Sequence, residues 1–113
     1  MAQLTDEQLE LAGEAFAMLR RVLQRNNLED LQEANVYPLK VIKEYHDATF
    51  ATRTLGDAEE GLMSRFYDCF TLKEWHENYD APLTTEQQGI FNVAYAEARS
   101  HVWKPKQKKS KWR

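Results

Sequence analysis

The amino-acid sequence predicts an all-α protein: a single compact bundle of four main helices with one or two short helices, followed by a basic C-terminal tail. Three observations support this fold class. Apolar side chains recur every three or four residues through most of the 113-residue chain, which is the spacing of an amphipathic helix. Several of these stretches follow a threonine, asparagine or aspartate that can cap a helix. No segment shows the alternation of apolar and polar residues expected of a half-buried strand.

The first helix begins after Thr5, which forms a predicted capping box with Gln8. Acidic residues follow in the first turn and arginines occupy the last turn, an arrangement that complements the helix dipole. The apolar stripe of this helix consists of Leu9, Ala12, Ala15, Phe16, Leu19, Val22 and Leu23. We expect the helix to end at Asn26 and Asn27.

Two further helices are predicted after this break. A short helix, residues 28–34, is capped by Asn27. A longer helix begins at Pro38, which suits a first turn, and runs to about Thr54, with Gly56 as its terminator. The residues near its predicted core face are Leu39, Ile42, His46, Thr49 and Phe50.

Residues 61–79 carry five of the thirteen aromatic residues, and we expect the core to be organised around this segment. Asp57 is predicted to cap the helix that opens the segment, with Glu60 at the third position. Helical spacing places Phe66 and Phe70 on one face, so both are expected to be fully buried.

The last two helices are predicted from their caps. Thr71 and Glu74 form another capping box, which marks residues 72–79 as a separate short helix. Thr84 or Thr85 caps the final helix, because each precedes a glutamine by three residues. The apolar stripe of this final helix consists of Phe91, Tyr95, Ala98 and Val102, with Ile90 and Ala94 beside it.

Charge divides the chain into an acidic α-helical domain, residues 1–103, and a basic flexible tail, residues 104–113. Residues 1–100 hold nine lysines and arginines against all eighteen acids, a net charge of −9, whereas residues 101–113 hold six cations and no acid. Pro105 is expected to stop the last helix, and the lysine-rich remainder is expected to be disordered.

The tail is a candidate binding segment. Lysine and arginine neutralise phosphates and tryptophan stacks on unpaired bases, so the mixture suits nucleic acid. It equally suits an acidic protein surface or an anionic membrane, and it could also serve as a solubilising tail or fold back on the acidic body. The candidate residues for binding a partner or nucleic acid are Trp103, Lys104, Lys106, Lys108, Lys109, Lys111, Trp112 and Arg113.

Two segments thirty residues apart each place a histidine beside a carboxylate. His46, Asp47, His76 and Glu77 are therefore the candidates for a metal site, which would suit a small metal-dependent hydrolase. Adjacent residues on a helix point in different directions, however, whereas helix-borne metal sites use spacings of three or four. We therefore predict no metal site and expect both histidines at the margin of the core, each with a hydrogen bond.

Other features disfavour catalysis. Cys69 is flanked by aromatic and acidic residues, which disfavour a thiolate, so an inert buried thiol is predicted. A single cysteine forms no internal disulfide, which agrees with a reducing cytoplasm. No run approaches the ~18 apolar residues of a membrane span, and the four glycines are isolated rather than grouped in a phosphate-binding loop. No cofactor and no membrane insertion are expected.

We therefore expect a small, cytoplasmic, non-enzymatic binding protein that regulates or inhibits a macromolecular partner through its helical surface. The partner would be a protein or a nucleoprotein, and small regulators of this size occur among bacterial and phage accessory proteins. Two other function classes stay open: a nucleic-acid-binding accessory protein that uses the tail, and a metal-dependent hydrolase that uses His46 and His76. A homodimer is also left open.

Overall fold

The computed structural model describes residues 4–52 and 55–102. Within these residues the chain forms only helices, so the all-α prediction is confirmed. Among the helices of these residues, none has both the length and the apolar character needed to cross a membrane. The helices are α1 (Asp6–Leu23), α2 (Leu28–Val36), α3 (Pro38–Thr52), α4 (Asp57–Asp68), α5 (Leu72–Tyr79) and α6 (Thr85–Glu97), and a π-helical turn (Ala98–Val102) follows α6.

Helix α1 lies at the centre of the bundle. Every residue from 15 to 20 is buried, so this part of the helix is covered on all sides. It packs against α3, α4 and α6. The ring centroid of Phe16 lies 5.2 Å from that of Tyr45, 5.5 Å from that of Tyr95 and 6.1 Å from that of Phe91. The core is thus built around one aromatic ring of α1.

Residues 61–79 form one side of the bundle, so the prediction that the core is organised around them was wrong. Phe66 is fully buried, as predicted, but Phe70 is only half-buried. The reason is that α4 ends at Asp68, and Phe70 therefore leaves the helical stripe that the spacing assumed. Phe70 packs on the core from outside.

The buried face of α3 differs from the prediction at its aromatic positions. Tyr45 is buried, whereas Phe50, predicted to face the core, is 65% exposed. His46 is half-buried, as expected of a residue at the margin of the core. The Tyr45 hydroxyl donates to the Asp30 carboxylate on α2, and this bond satisfies the polar end of a buried ring. Burial was correctly predicted for Leu39, Ile42 and Thr49.

Four predicted helix caps are confirmed. In each one, a side-chain oxygen accepts a hydrogen bond from the backbone N–H three residues further on. The distances from donor to acceptor lie between 2.8 and 3.2 Å. The capping residues are Thr5, Asn27, Thr71 and Thr84, which also settles the choice between Thr84 and Thr85 for α6.

The predicted cap of α4 was wrong by one residue. Helix α4 begins at Asp57, and the capping position before it is Gly56, whose N–H donates to Glu59 Oε1 at 3.0 Å. Gly56 has a φ of −89°, so it does not adopt the left-handed conformation of a helix-terminating glycine. The sequence offers carboxylates at 59 and 60, and pattern alone does not decide which one reaches back.

Some predictions fall outside the described residues. They concern the end of the third helix at Thr54, the side chain of Val102, Pro105 as a helix stop, and the basic tail, residues 104–113. The boundary between the acidic domain and the tail stays a prediction for the same reason.

Candidate functional site

Helices α4 and α5 meet at a corner that carries the candidate site. Helix α4 ends at Asp68, and Leu72 is already the first residue of α5. Thr71 sets the direction of α5, because its Oγ1 accepts the Glu74 N–H at 3.0 Å and its own N–H donates to the Glu74 carboxylate at 2.9 Å. The start of α5 is therefore set by a local interaction between Thr71 and Glu74.

Gln8 of α1 fastens this corner to the core. Its Nε2 donates to the Cys69 carbonyl oxygen at 2.8 Å and lies 3.4 Å from Glu74 Oε1, while its Oε1 accepts the Thr5 N–H at 2.9 Å. The side chain is buried, so these bonds are needed to satisfy its amide. The sequence predicted Gln8 as a capping residue only, since nothing local signals a partner 61 residues away.

Four side chains at the corner form what we call the aromatic surface: Tyr67, Phe70, Leu72 and Trp75. The ring centroid of Trp75 lies 5.4 Å from that of Tyr67 and 5.6 Å from that of Phe70. The three rings are half-buried, and Leu72 beside them is 74% exposed. With Lys43 and Thr71 they line an open groove of 290 Å³.

The aromatic surface is apolar, and a buried ring of the core packs against it. The buried ring of Phe66 lies 5.3 Å from that of Phe70 and 6.0 Å from that of Trp75, both edge-on. An exposed leucine is ordinary by itself, but here it lies beside three half-buried rings and extends their apolar surface. The groove can accept an apolar side chain.

Tyr67 contacts residues of both segments that contain a candidate metal-binding histidine, the one around His46 and the one around His76. Its hydroxyl forms a hydrogen bond with His46 Nδ1 at 2.9 Å, and its ring also packs against Trp75. Burial lowers the pKa of His46 and raises the pKa of Tyr67 to about 12. A neutral imidazole therefore faces a protonated phenol at neutral pH, and one of them donates to the other.

The remaining metal-ligand candidates are held in other interactions or face solvent. Lys43 Nζ donates to both oxygens of Asp47 at 2.8 Å, Lys73 Nζ lies 3.9 Å from Glu77 Oε2, and His76 is exposed. Across residues 4–52 and 55–102, no three histidine, cysteine, aspartate or glutamate side chains are grouped so as to hold a metal ion.

Cys69 turns its thiol back to the backbone. Its Sγ donates to the Phe66 carbonyl oxygen at 2.9 Å. Burial, and next the nearby Glu7 carboxylate, raise the pKa of the thiol to about 11. Such a thiol is protonated at neutral pH and is a poor nucleophile, which fits the inert cysteine expected from its neighbours. The residue is half-buried, however, rather than buried as predicted.

A second concave feature, which we call the acidic groove, runs between α1 and α6 with a volume of 640 Å³. The apolar residues that line it include Ile90 and Val93, and Val93 is 60% exposed. The carboxylates along it belong to Asp6, Glu10, Glu14, Glu86 and Glu97. Such a groove suits a basic segment that carries apolar side chains. The acids Asp6, Glu10 and Glu14 of α1 recur at every fourth residue, a spacing that places them on one face of the helix.

The tail residues predicted to bind a partner or nucleic acid all lie outside the described residues. The aromatic surface, in contrast, was assigned to the core by the sequence. The available signal was the Thr71 cap, which begins a new helix and places Leu72 in its first turn.

Comparison of the chain with protein-family models, curated proteins and solved structures found no match.

Proposed function

We propose that this is a non-enzymatic binding protein that regulates or inhibits a partner protein, and that it contacts the partner through the aromatic surface. One observation carries the proposal: Leu72 is exposed beside the half-buried rings of Tyr67, Phe70 and Trp75. Apolar surface of this kind gains free energy when a partner removes it from water. Tyrosine and tryptophan are also the residues most enriched at the energetic centres of interfaces.

The partner expected at this surface is a protein that inserts an apolar side chain into the groove, as an amphipathic helix does. Burial of Leu72 alone contributes about 1.5–3 kcal/mol, and the rings add to this. Because Phe66 and Gln8 already hold the corner in place, binding orders few additional side chains. Lys43 lines the groove beside the rings and supplies a polar group that can orient the partner.

A matched pair of variants tests this contact. Leu72 and Leu28 are each the first residue of a helix, and they are 74% and 63% exposed. A glutamate at either position is favourable to the helix dipole, so Leu72→Glu and Leu28→Glu should both fold. In a pull-down from the source cell, we expect wild type and Leu28→Glu to retain the same protein. Leu72→Glu should bind it at least about tenfold more weakly.

The captured protein should also lose or change its activity when purified wild-type protein is added, and Leu72→Glu should have less effect. Capture that is equal for wild type and Leu72→Glu would contradict the proposal. A partner lost only on the double change Glu10→Lys and Glu14→Lys would move the contact to the acidic groove. Nucleic-acid binding by the tail would instead give an affinity that falls steeply with salt, with a log–log slope of up to about −4 to −5 for single strands, and would not depend on Leu72.

A further inference from the structure

A small pocket opens where the C-terminal end of α1 meets the π-helical turn. It has a volume of 180 Å³, and its polar side chains come from α1, the loop after α1, α6 and the π-helical turn. They are Arg20, Arg21, Asn26, Tyr95 and Arg99. Each of them can donate a hydrogen bond, and no carboxylate lines the pocket within the described part of the chain.

Arg20 forms a buried wall of this pocket. The side chain is 7% exposed, and its guanidinium carbon lies 5.3 Å from the centre of the Phe16 ring. Nη2 donates to the Asn27 carbonyl oxygen at 3.1 Å, but Nη1 is buried and has no hydrogen-bond partner among the described residues. A buried charge with unused donors destabilises a fold unless an opposite charge compensates it.

The dipole of α1 explains the position of only two of the three arginines that line the pocket. Arginines in the last turn of a helix complement the partial negative charge of its C-terminal end, which suits Arg20 and Arg21. Arg99 comes from a different element, and its guanidinium lies over the Tyr95 ring at 5.6 Å. Three cations thus converge in one place although residues 1–100 carry a net charge of −9. Like charges repel, so the cluster is suited to an anion placed between them.

We propose that this pocket binds an oxyanion of the phosphate class. A guanidinium presents its N–H groups in a planar fork that matches phosphate oxygens, and three of them carry more than the positive charge needed to neutralise a dianion. Asn26 and Tyr95 add neutral donors. The volume of 180 Å³ equals the share of about six water molecules, so it holds a phosphate group while the rest of any phosphorylated ligand stays outside.

Titration of the full-length protein with inorganic phosphate, followed by NMR, tests the pocket. We expect saturable shifts of the backbone amide signals of Arg21, Asn26 and Arg99, and much smaller shifts with acetate at the same ionic strength. Arg21→Gln and Arg99→Gln change exposed residues, and each should weaken phosphate binding by about tenfold or more. Arg65→Gln, which changes an exposed arginine on α4, is the matched control and should leave the affinity unchanged.

Phosphate that fails to shift these signals saturably would overturn the proposal, as would shifts confined to residues 104–113. Equal weakening by Arg65→Gln would show general charge screening and would overturn it as well. Glycerol phosphate distinguishes the source: binding as tight as that of phosphate supports a site for a phosphomonoester, and weaker binding supports a site for the free ion. The two arginine variants should still capture the partner of the aromatic surface, so this test is independent of the proposed function.

Discussion

Gly13 shows how a single residue sets the distance between two helices. A Cβ atom at this position would lie 2.8 Å from both the Phe91 carbonyl oxygen and the Tyr95 nitrogen, and 2.9 Å from the Ala94 Cβ. The first two are backbone atoms of α6, which cannot move aside as the end of a flexible side chain can. Helices α1 and α6 therefore pack closely because Gly13 has no side chain.

We expect Gly13→Ala to lower the free energy of unfolding by about 1–3 kcal/mol through overpacking, although alanine is the better helix former. Gly61 on α4 is the control, because nothing lies within 4 Å of a Cβ built there. Gly61→Ala should raise the free energy of unfolding by about 0.5–1 kcal/mol. Urea unfolding of both variants checks the pair, and equal stabilisation by both would show that the helices are not in this contact.

His46 should make stability depend on pH in a known direction. Burial lowers its pKa in the folded state below the ordinary value of about 6.5, so the unfolded chain takes up the proton first. The stability that neutral His46 contributes is thus complete above about pH 6.5 and is lost as the pH falls below that value. His46→Gln should flatten the fall in melting temperature between about pH 7.5 and pH 5.5. His76→Gln, at an exposed position on α5, should not flatten it, and the same slope in both variants would contradict this role.

At the scale of the element, the end of α4 at Asp68 gives Phe66 and Phe70 different burial, although the sequence predicts both to be fully buried. Phe66→Ala removes a fully buried ring and should lower the free energy of unfolding by about 3–5 kcal/mol. Phe70→Ala removes a half-buried ring beyond the helix end and should cost only about 1–2 kcal/mol. Chemical denaturation of the two variants gives the comparison. Equal losses would place Phe70 in the core and remove one ring from the aromatic surface.

Helix starts were predictable because a cap is a local interaction. Thr5, Asn27, Thr71 and Thr84 each bond a backbone N–H only three residues away, so the pattern contains both partners. The cap of α4 failed where two adjacent carboxylates offered the same pattern, and Glu59 proved to be the one that reaches back.

The order of burial among helices was less predictable, because it depends on contacts between distant residues. Phe16 meets Tyr45, Phe91 and Tyr95, which come from two other helices. The sequence did hold a signal for the central position of α1: residues 15–19 contain no polar side chain, which is more than a one-sided stripe requires. The core was instead predicted around residues 61–79, because this segment has the highest density of aromatic residues.

At the scale of the whole molecule, the sequence located the aromatic residues of the candidate site but not their exposure. Their spacing indicated burial, and the corner at Thr71 then placed three of the rings at the edge of the bundle. The pairings that complete the acidic groove and the arginine-lined pocket at the π-helical turn were beyond prediction, because each joins α1 to residues more than seventy positions later in the chain, such as Glu86 and Arg99. No periodic pattern within one helix encodes that pairing.

Photo-crosslinking tests the aromatic surface most directly. The photoreactive residue p-benzoylphenylalanine would replace Leu72 in one variant and Leu28 in another, both exposed first residues of a helix. After irradiation of cells that produce the protein, we expect position 72 to crosslink to one dominant protein and position 28 to give no such adduct. Crosslinks of equal yield at both positions, or an adduct at position 28 alone, would contradict a partner bound at the aromatic surface.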